Sequence, residues 1–203
     1  SRFMWLDSQR GLIIYDTPLA DRIVSAVPGS KRLHNGYVAA PSDLYSLQLL
    51  SWLGLQVPAP MEENYDWPGR YRPFAAQRVT SNFLAVHPRA FVLSDMGTGK
   101  TLAALWAADY VLRSAGGTRA LIVCPLSTMQ RVWADAIFTH FLGKRTAVVL
   151  HGSAAKRRSL LEQPADFYIV NFDGLAVIAK EIAARVDIRL AIVDECSAYR
   201  DRT

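Results

Sequence analysis

Phe91-Val92-Leu93-Ser94-Asp95-Met96-Gly97-Thr98-Gly99-Lys100-Thr101 is an apolar run that breaks into a glycine-containing turn and ends in Gly-Lys-Thr. Beyond it Leu102, Leu105, Trp106 and Leu112 recur at helical spacing until Ser114-Ala115-Gly116-Gly117 ends the pattern. The stretch reads as strand, turn, helix. Such a turn aims several backbone N–H groups, a helix N-terminus and one ammonium at a single spot, which suits a polyphosphate. Gly97 and Gly99 allow left-handed backbone and close approach to phosphate oxygens, with Met96 and Thr98 between and before them in the same loop. Lys100 is placed to reach the β- and γ-phosphates and Thr101 to offer its hydroxyl to Mg²⁺. Ser94 stands where the strict phosphate-loop pattern has glycine. The plainer alternative is a glycine-capped helix whose lysine is merely solvated.

A magnesium-bound triphosphate needs a carboxylate on the side away from the phosphates. Arg189-Leu190-Ala191-Ile192-Val193-Asp194-Glu195 supplies one, a short β-branched run followed at once by two acids. Asp194 is expected to orient Mg²⁺ and Glu195 to polarise the attacking water, which makes Lys100, Asp194 and Glu195 the catalytic set. Taken alone, the same residues are an acidic strand-to-loop turn.

Outward from these two motifs the chain alternates. The expected elements are a helix after Pro73 that turns Phe74, Gln77, Phe83 and Leu84 inward, strand 91–94, helix 100–113, strand 120–124, helix 130–142, strand 146–150, a basic helix at 154–162, strand 166–171, helix 175–185 and strand 189–194. Continuous Val/Ile/Leu strands separated by helices predict an α/β fold whose parallel sheet is covered on both faces. Right-handed crossovers then put the ligand crevice at the carboxyl ends of the strands, where both motifs lie.

Residues 1–60 read differently, as a small N-terminal α/β module. Strands are expected near 2–6 and 11–15, a helix at 18–27, a Pro28-Gly29 turn, a strand around Tyr37-Val38, and a helix from Ser42 to Leu53, capped by Ser42 and ended by Gly54. Pro58-Ala59-Pro60 through Trp67-Pro68-Gly69 reads as linker by composition, which places the linker at residues 61–72 and the main domain at 73–203.

With 203 residues, 51% of them hydrophobic, the chain can bury a substantial core. The net charge of +5 leans toward a polyanionic partner such as nucleic acid. Its two cysteines, Cys124 and Cys196, each follow an expected strand, as packed and reduced thiols do. No apolar run is long enough to span a bilayer and no charged-then-apolar leader opens the chain, so the expectation is a soluble, intracellular protein, cytoplasmic or associated with nucleic acid. His140 and His151 have no ligand-spaced companions, so no metal is expected beyond nucleotide-borne Mg²⁺. Lys144, Arg145, Lys156, Arg157 and Arg158 read as a solvated helix face, with a phosphate-tracking patch as the alternative. Trp133, Phe138 and Phe141, spaced with Ile137, read as core rather than as base-stacking residues.

Arg72-Pro73-Phe74-Ala75-Ala76-Gln77 places a glutamine before the phosphate loop, and an amide that donates and accepts at once suits the edge of adenine. Pro125, Leu126, Ser127 and Thr128, and further on Asn171, Phe172 and Asp173, end two buried strands in small polar residues.

Together these segments resemble the first RecA-like domain of a superfamily-two helicase, closest to the Swi/Snf-like group, over roughly residues 70 to 203. The Asp95–Thr101 run is similar to motif I of that group, where serine in place of the first glycine is ordinary. Gln77 resembles the adenine-reading glutamine, Pro125–Thr128 motif Ia, Asn171-Phe172-Asp173 motif Ib, and Asp194-Glu195-Cys196-Ser197 the DExx box, with Cys196 where alanine or serine is more familiar. Tyr15-Asp16, Val27-Pro28-Gly29-Ser30 and Tyr37-Val38 resemble the HepA-related domain that precedes some annealing helicases. The resemblance implies an ATP-dependent DNA helicase or translocase lobe that takes ATP and Mg²⁺ and contacts DNA, with RNA a lesser candidate, through Pro125, Leu126, Ser127, Thr128, Asn171 and Phe172. It also implies a second RecA-like lobe and its arginine finger beyond Thr203, without which turnover is expected to be very slow. Two other classes remain open: a nucleic-acid-binding module with a vestigial nucleotide site, and a non-helicase P-loop ATPase acting on protein.

Overall fold

The computed structural model describes residues 3–87, 90–93 and 99–195. It divides into two compact units, Ser1–Asn64 with Ala85–His87, and Tyr65–Leu84 with Pro88–Thr203. Of the residues singled out above, Ser94, Asp95, Met96, Gly97, Thr98, Cys196 and Ser197 lie outside the described residues. Among those described, no helix is long and apolar enough to cross a membrane.

In the smaller unit β1 (Phe3–Asp7), β2 (Leu12–Asp16), β3 (Lys31–Arg32) and β4 (Val38–Pro41) form an antiparallel sheet in the order β1-β2-β4-β3. Ile13 and Tyr15 alternate inward from β2 and meet Val38 and Ala40 of β4 in one core with Ile23, Leu47 and Leu50, contributed by α1 (Ala20–Ala26) and α2 (Leu44–Trp52). The phenol of Tyr15 donates to the Gln56 carbonyl at 2.6 Å, and burial pushes its pKa well up. The cap of α2 is Asp43, not Ser42. Asp43 accepts from the Ser46 amide and, at 2.5 Å, from the Ser46 hydroxyl, while the Ser42 amide is engaged by the Gly11 carbonyl at 2.9 Å. Gly54 closes the helix with a positive φ of 89°. The two-residue β3 carries no apolar signal, which is why alternation does not reveal it.

In the larger unit five parallel strands, β5 (Ala90–Leu93), β6 (Arg119–Val123), β7 (Ala147–Val149), β8 (Phe167–Val170) and β9 (Ile188–Asp194), lie in the order β5-β9-β6-β8-β7. Every residue of β8 is buried, so both faces of the sheet are covered at its centre. The helices are α4 (Ala75–Val86), α5 (Lys100–Ser114), α6 (Asp135–His140), α7 (Ala154–Leu161) and α8 (Phe172–Ala183); between α2 and α4 the chain also makes the short α3 (Pro60–Asn64) of the smaller unit.

Three local departures from the sequence reading have physical causes. Gln77 and Leu84 of α4 turn inward as expected and Ser81 joins them, but Phe74 and Phe83 face solvent, 66% and 58% exposed. That phase is set by two hydrogen bonds to α5, Ser81 Oγ to the Ala103 carbonyl at 2.8 Å and Gln77 Nε2 to the Gly99 carbonyl at 3.2 Å. The buried alanines 103, 104, 107 and 108 make α5 thin enough for this approach. Second, the helix expected at 130–142 is a 3₁₀ turn (Leu126–Thr128), a π-helical turn (Met129–Ala134) and then α6. It buries Trp133, Ile137 and Phe141 but leaves Phe138, 76% exposed, outside. Third, α8 starts at Phe172, three residues earlier than expected, so Asn171 occupies its N-cap position.

Within the stretch read as a linker, Tyr65 and Trp67 are buried against α5. The Tyr65 phenol donates to Asp109 at 2.6 Å, and the Trp67 ring meets that of Trp106 edge-on at 5.3 Å.

Candidate active site

The strand order brings the carboxyl end of β5 beside that of β9. Leu93 and Asp194 are register partners, and the Glu195 amide continues the ladder by donating to the Leu93 carbonyl at 2.8 Å. The acidic pair therefore leaves the sheet alongside the strand that feeds the phosphate-loop sequence. Asp194 is buried, 4% exposed, and Glu195 is exposed.

Where the described chain resumes, Gly99 is the N-cap of α5, with φ +84°. Its carbonyl accepts from the Ala103 amide at 3.0 Å and from Gln77 Nε2, and a Cβ on Gly99 would overlap the Gln77 amide. Glycine is required here twice over, by backbone conformation and by the side chain above it. Gln77 Oε1 in turn accepts from the Phe74 amide at 2.8 Å. The glutamine is a strut between the entry to α4 and the entry to α5. Lys100 and Thr101 open α5, both half-buried, in a fifteen-residue helix with no acidic residue in its first turn. The positive end of the helix dipole is thus uncompensated by the helix itself.

Between β5 and β6 stands β9, and its Asp194 carboxylate accepts from the indole N–H of Trp133 at 3.2 Å. Sequence reasoning assigned Trp133 to the core and missed this contact. The available signal was chemical: a tryptophan with no exposed surface needs a partner for its N–H. Cys124 follows β6 close by. Burial pushes its thiol up to about 12, the Asp194 charge adds to that rise and the Thr128 hydroxyl offsets part of it, so the sulfur stays protonated.

β6 and β8 are neighbours, and the Cys124 amide donates to the Val170 carbonyl at 3.0 Å, so Pro125–Thr128 and Asn171-Phe172 emerge side by side. Leu126, 64% exposed, and Ser127 face solvent and Pro125 is half-buried, whereas Thr128 turns inward with its hydroxyl on the Pro125 carbonyl at 2.9 Å. Asn171 is buried and its Oδ1 accepts from Arg157 at 3.1 Å, while Phe172 is exposed. Arg157 also donates to the Leu150 carbonyl at 2.8 Å and the Gly152 carbonyl at 2.9 Å. Gly174 makes room for it, since a Cβ there would overlap the guanidinium. Arg145 likewise lies inside, donating to Asp109 at 2.5 Å and Asp166 at 3.2 Å, and Arg158 pairs with Glu181 at 2.8 Å. Of the basic cluster, Lys144, Lys156 and Arg158 are exposed, the last with its ion pair on the surface. Neither the solvated-face nor the tracking-patch reading describes Arg145 and Arg157.

Among the described residues no group of three or more His, Cys, Asp or Glu is arranged to hold a metal. One buried carboxylate, a threonine hydroxyl, a lysine and a helix N-terminus fit a cation that arrives with phosphate oxygens in its coordination shell, rather than one caged by protein alone.

The family model of the SNF2-related domain matches residues 55–202. No curated protein matches the chain. Among solved structures the chain is similar to the Sulfolobus solfataricus SWI2/SNF2 ATPase core in complex with dsDNA, with a TM-score of 0.52 and 18% sequence identity over 64% of this chain; it spans 27% of that one. The likeness is one of fold, RecA-like α/β.

Proposed function

The chain belongs to the SNF2-related domain family, and from that premise we propose that it is the first ATP-binding lobe of an ATP-dependent DNA translocase or helicase. The observation that carries this is the Leu93–Asp194 register pair, which sets the acidic pair next to the strand that leads, through the phosphate loop, into Lys100.

In this proposal Met96, Gly97, Thr98, Gly99, Lys100 and Thr101 hold the triphosphate, and Thr101 and Asp194 hold Mg²⁺. When bound, the magnesium nucleotide supplies a cation-neutralised leaving group for in-line displacement by water. Lys100 adds a point charge on the phosphates. Glu195, exposed and unencumbered by the burial that surrounds Asp194, accepts the water's proton. Gln77 keeps one N–H and one lone pair beyond its two backbone bonds, enough for an adenine edge. Leu126, Ser127 and Phe172 form the outer face of the adjoining strand ends, with Pro125 at its edge and Thr128 and Asn171 bracing it from within. A duplex-DNA partner is supported by the DNA held by the similar archaeal ATPase core. A second RecA-like lobe would supply the arginine for phosphoryl transfer, so this chain alone is expected to turn over very slowly.

The test is hydrolysis by this chain joined to its second lobe. Glu195→Gln should abolish DNA-stimulated turnover while ATP binding persists, and Lys100→Ala should weaken binding. Turnover unchanged in Glu195→Gln overturns the assignment.

A further inference from the structure

Two observations converge on Trp133. The first is geometric. Met129, Trp133, Ile137 and Phe141 are all buried, an apolar stripe with a strict four-residue step. In a regular α-helix each such step overshoots by about 40°, or about 120° over three steps, so the stripe would spiral off the sheet. The π-helical turn at Met129–Ala134, wider than an α-turn, takes up part of that drift and keeps Trp133 aimed inward. π-turns are rare and concentrate at functional sites. The second observation is chemical. A buried carboxylate holds its charge only when donors face it, and the fully buried indole of Trp133 presents its N–H to Asp194 Oδ2.

We infer that Trp133 is a positioning residue for Asp194: its indole N–H holds the carboxylate in the orientation that receives magnesium, and it ties that acid to the segment that follows Pro125–Thr128. The inference rests on the proposed magnesium role of Asp194. A donor-only indole suits this task because it can fix one carboxylate oxygen without ever competing as a ligand. Because Trp133 and the turn Leu126–Thr128 belong to one continuous helical stretch, a shift of the exposed turn is carried to the acid without an intervening hinge.

The test uses two readouts on this chain. In a ¹H–¹⁵N spectrum the five tryptophans give separate indole signals. The Trp133 signal, identified by its loss in Trp133→Phe, should move on titration with MgCl₂ alone and in Asp194→Asn, while the other four stay in place. Should Trp133→Phe not fold, the signal is assigned through its contacts in a NOE spectrum and the same responses are read. In parallel, the Mg²⁺ concentration that half-saturates binding of a fluorescent ATP analogue should rise about 10-fold in Trp133→Phe, the usual effect of removing an outer-shell partner of a ligand. Binding without metal should be unchanged, and in the Asp194→Asn background Trp133→Phe should add nothing. An Mg²⁺ requirement raised by Asp194→Asn but not by Trp133→Phe overturns this inference alone. One left unmoved by Asp194→Asn overturns the magnesium role itself and the inference with it.

Discussion

Gln77 donates its amide to the Gly99 carbonyl across 3.2 Å, twenty-two residues along the chain, at the point where α5 begins. The bond exists because residue 99 has no side chain: a Cβ would occupy the space of the Gln77 amide. Gly99→Ala therefore carries two penalties, left-handed backbone strain of about 1 kcal/mol and expulsion of the glutamine. It should lower stability by about 2 kcal/mol in total and weaken nucleotide binding. Gln77→Ala removes the clash, so Gly99→Ala/Gln77→Ala should cost less than the sum of the single changes. Urea denaturation of the four proteins checks this, and strict additivity would contradict it.

A second glycine does comparable work inside a helix. Gly174, in the first turn of α8, leaves room for Arg157 to reach Leu150, Gly152 and Asn171. Gly174→Ala gains helix propensity, about 1 kcal/mol on intrinsic scales, yet it should destabilise the protein, because the displaced guanidinium strands buried acceptors at about 1–3 kcal/mol. Lysine at 157 cannot fork to three acceptors, so Arg157→Lys should not restore the loss. A Gly174→Ala protein more stable than the parent would show that Arg157 has no fixed place.

Arg145 separates structure from electrostatic recruitment of DNA. Its guanidinium meets the Asp109 carboxylate, which is almost without exposed surface and also accepts from Tyr65 and pairs with Arg113. Burial, with the Asp109 charge and hydrogen bond behind it, pushes the Tyr65 phenol well up, so it stays a donor. Arg145→Ala leaves a buried carboxylate short of its main partner and should cost about 3 kcal/mol. The salt dependence of DNA binding should be unchanged, since an arginine engaged inside the protein neutralises no phosphate. Lys144→Ala should do the reverse, leaving stability intact. A shallower salt slope in folded Arg145→Ala would return Arg145 to the DNA face.

Much of this was legible in the chain because the strands of the parallel sheet read as unbroken apolar runs followed at once by polar residues. Phe91–Leu93 into Gly-Lys-Thr and Ile192-Val193 into Asp-Glu are of that kind. What resisted reading was helix phase. Ser81 joins the expected Gln77 inside and Phe74 and Phe83 lie outside because two hydrogen bonds to α5, not apolar area, orient α4. Hydrophobic spacing carries no information about such bonds. The same blindness hid the π-turn, the place of Trp133 beside Asp194, 61 residues away, and the engagement of Arg145 with Asp109 and Asp166, 36 and 21 residues away, and of Arg157 with Asn171, 14 residues away.

The start of β9 sets the acid sensitivity. Asp187 accepts from Arg185 at 2.7 and 2.8 Å and from Arg119 at 3.0 Å, and the Arg185 hydrogen bonds, ahead of its charge and that of Arg119, pull the carboxyl from its usual 3.8 down to about 2. A folded pKa below the unfolded one means that the group stabilises the fold at pH values above about 4, and that this contribution is lost as pH falls from about 4 toward 2. Asp187→Asn lacks the titration. It should be less stable than the parent at pH 7, and the gap in urea midpoint should close as pH is lowered from 5 to about 2.5. Because Asp187 is partly exposed, 0.5 M NaCl should narrow the gap at pH 7 as well. A gap that holds constant across that acid range would show that Asp187 contributes through shape and not through charge.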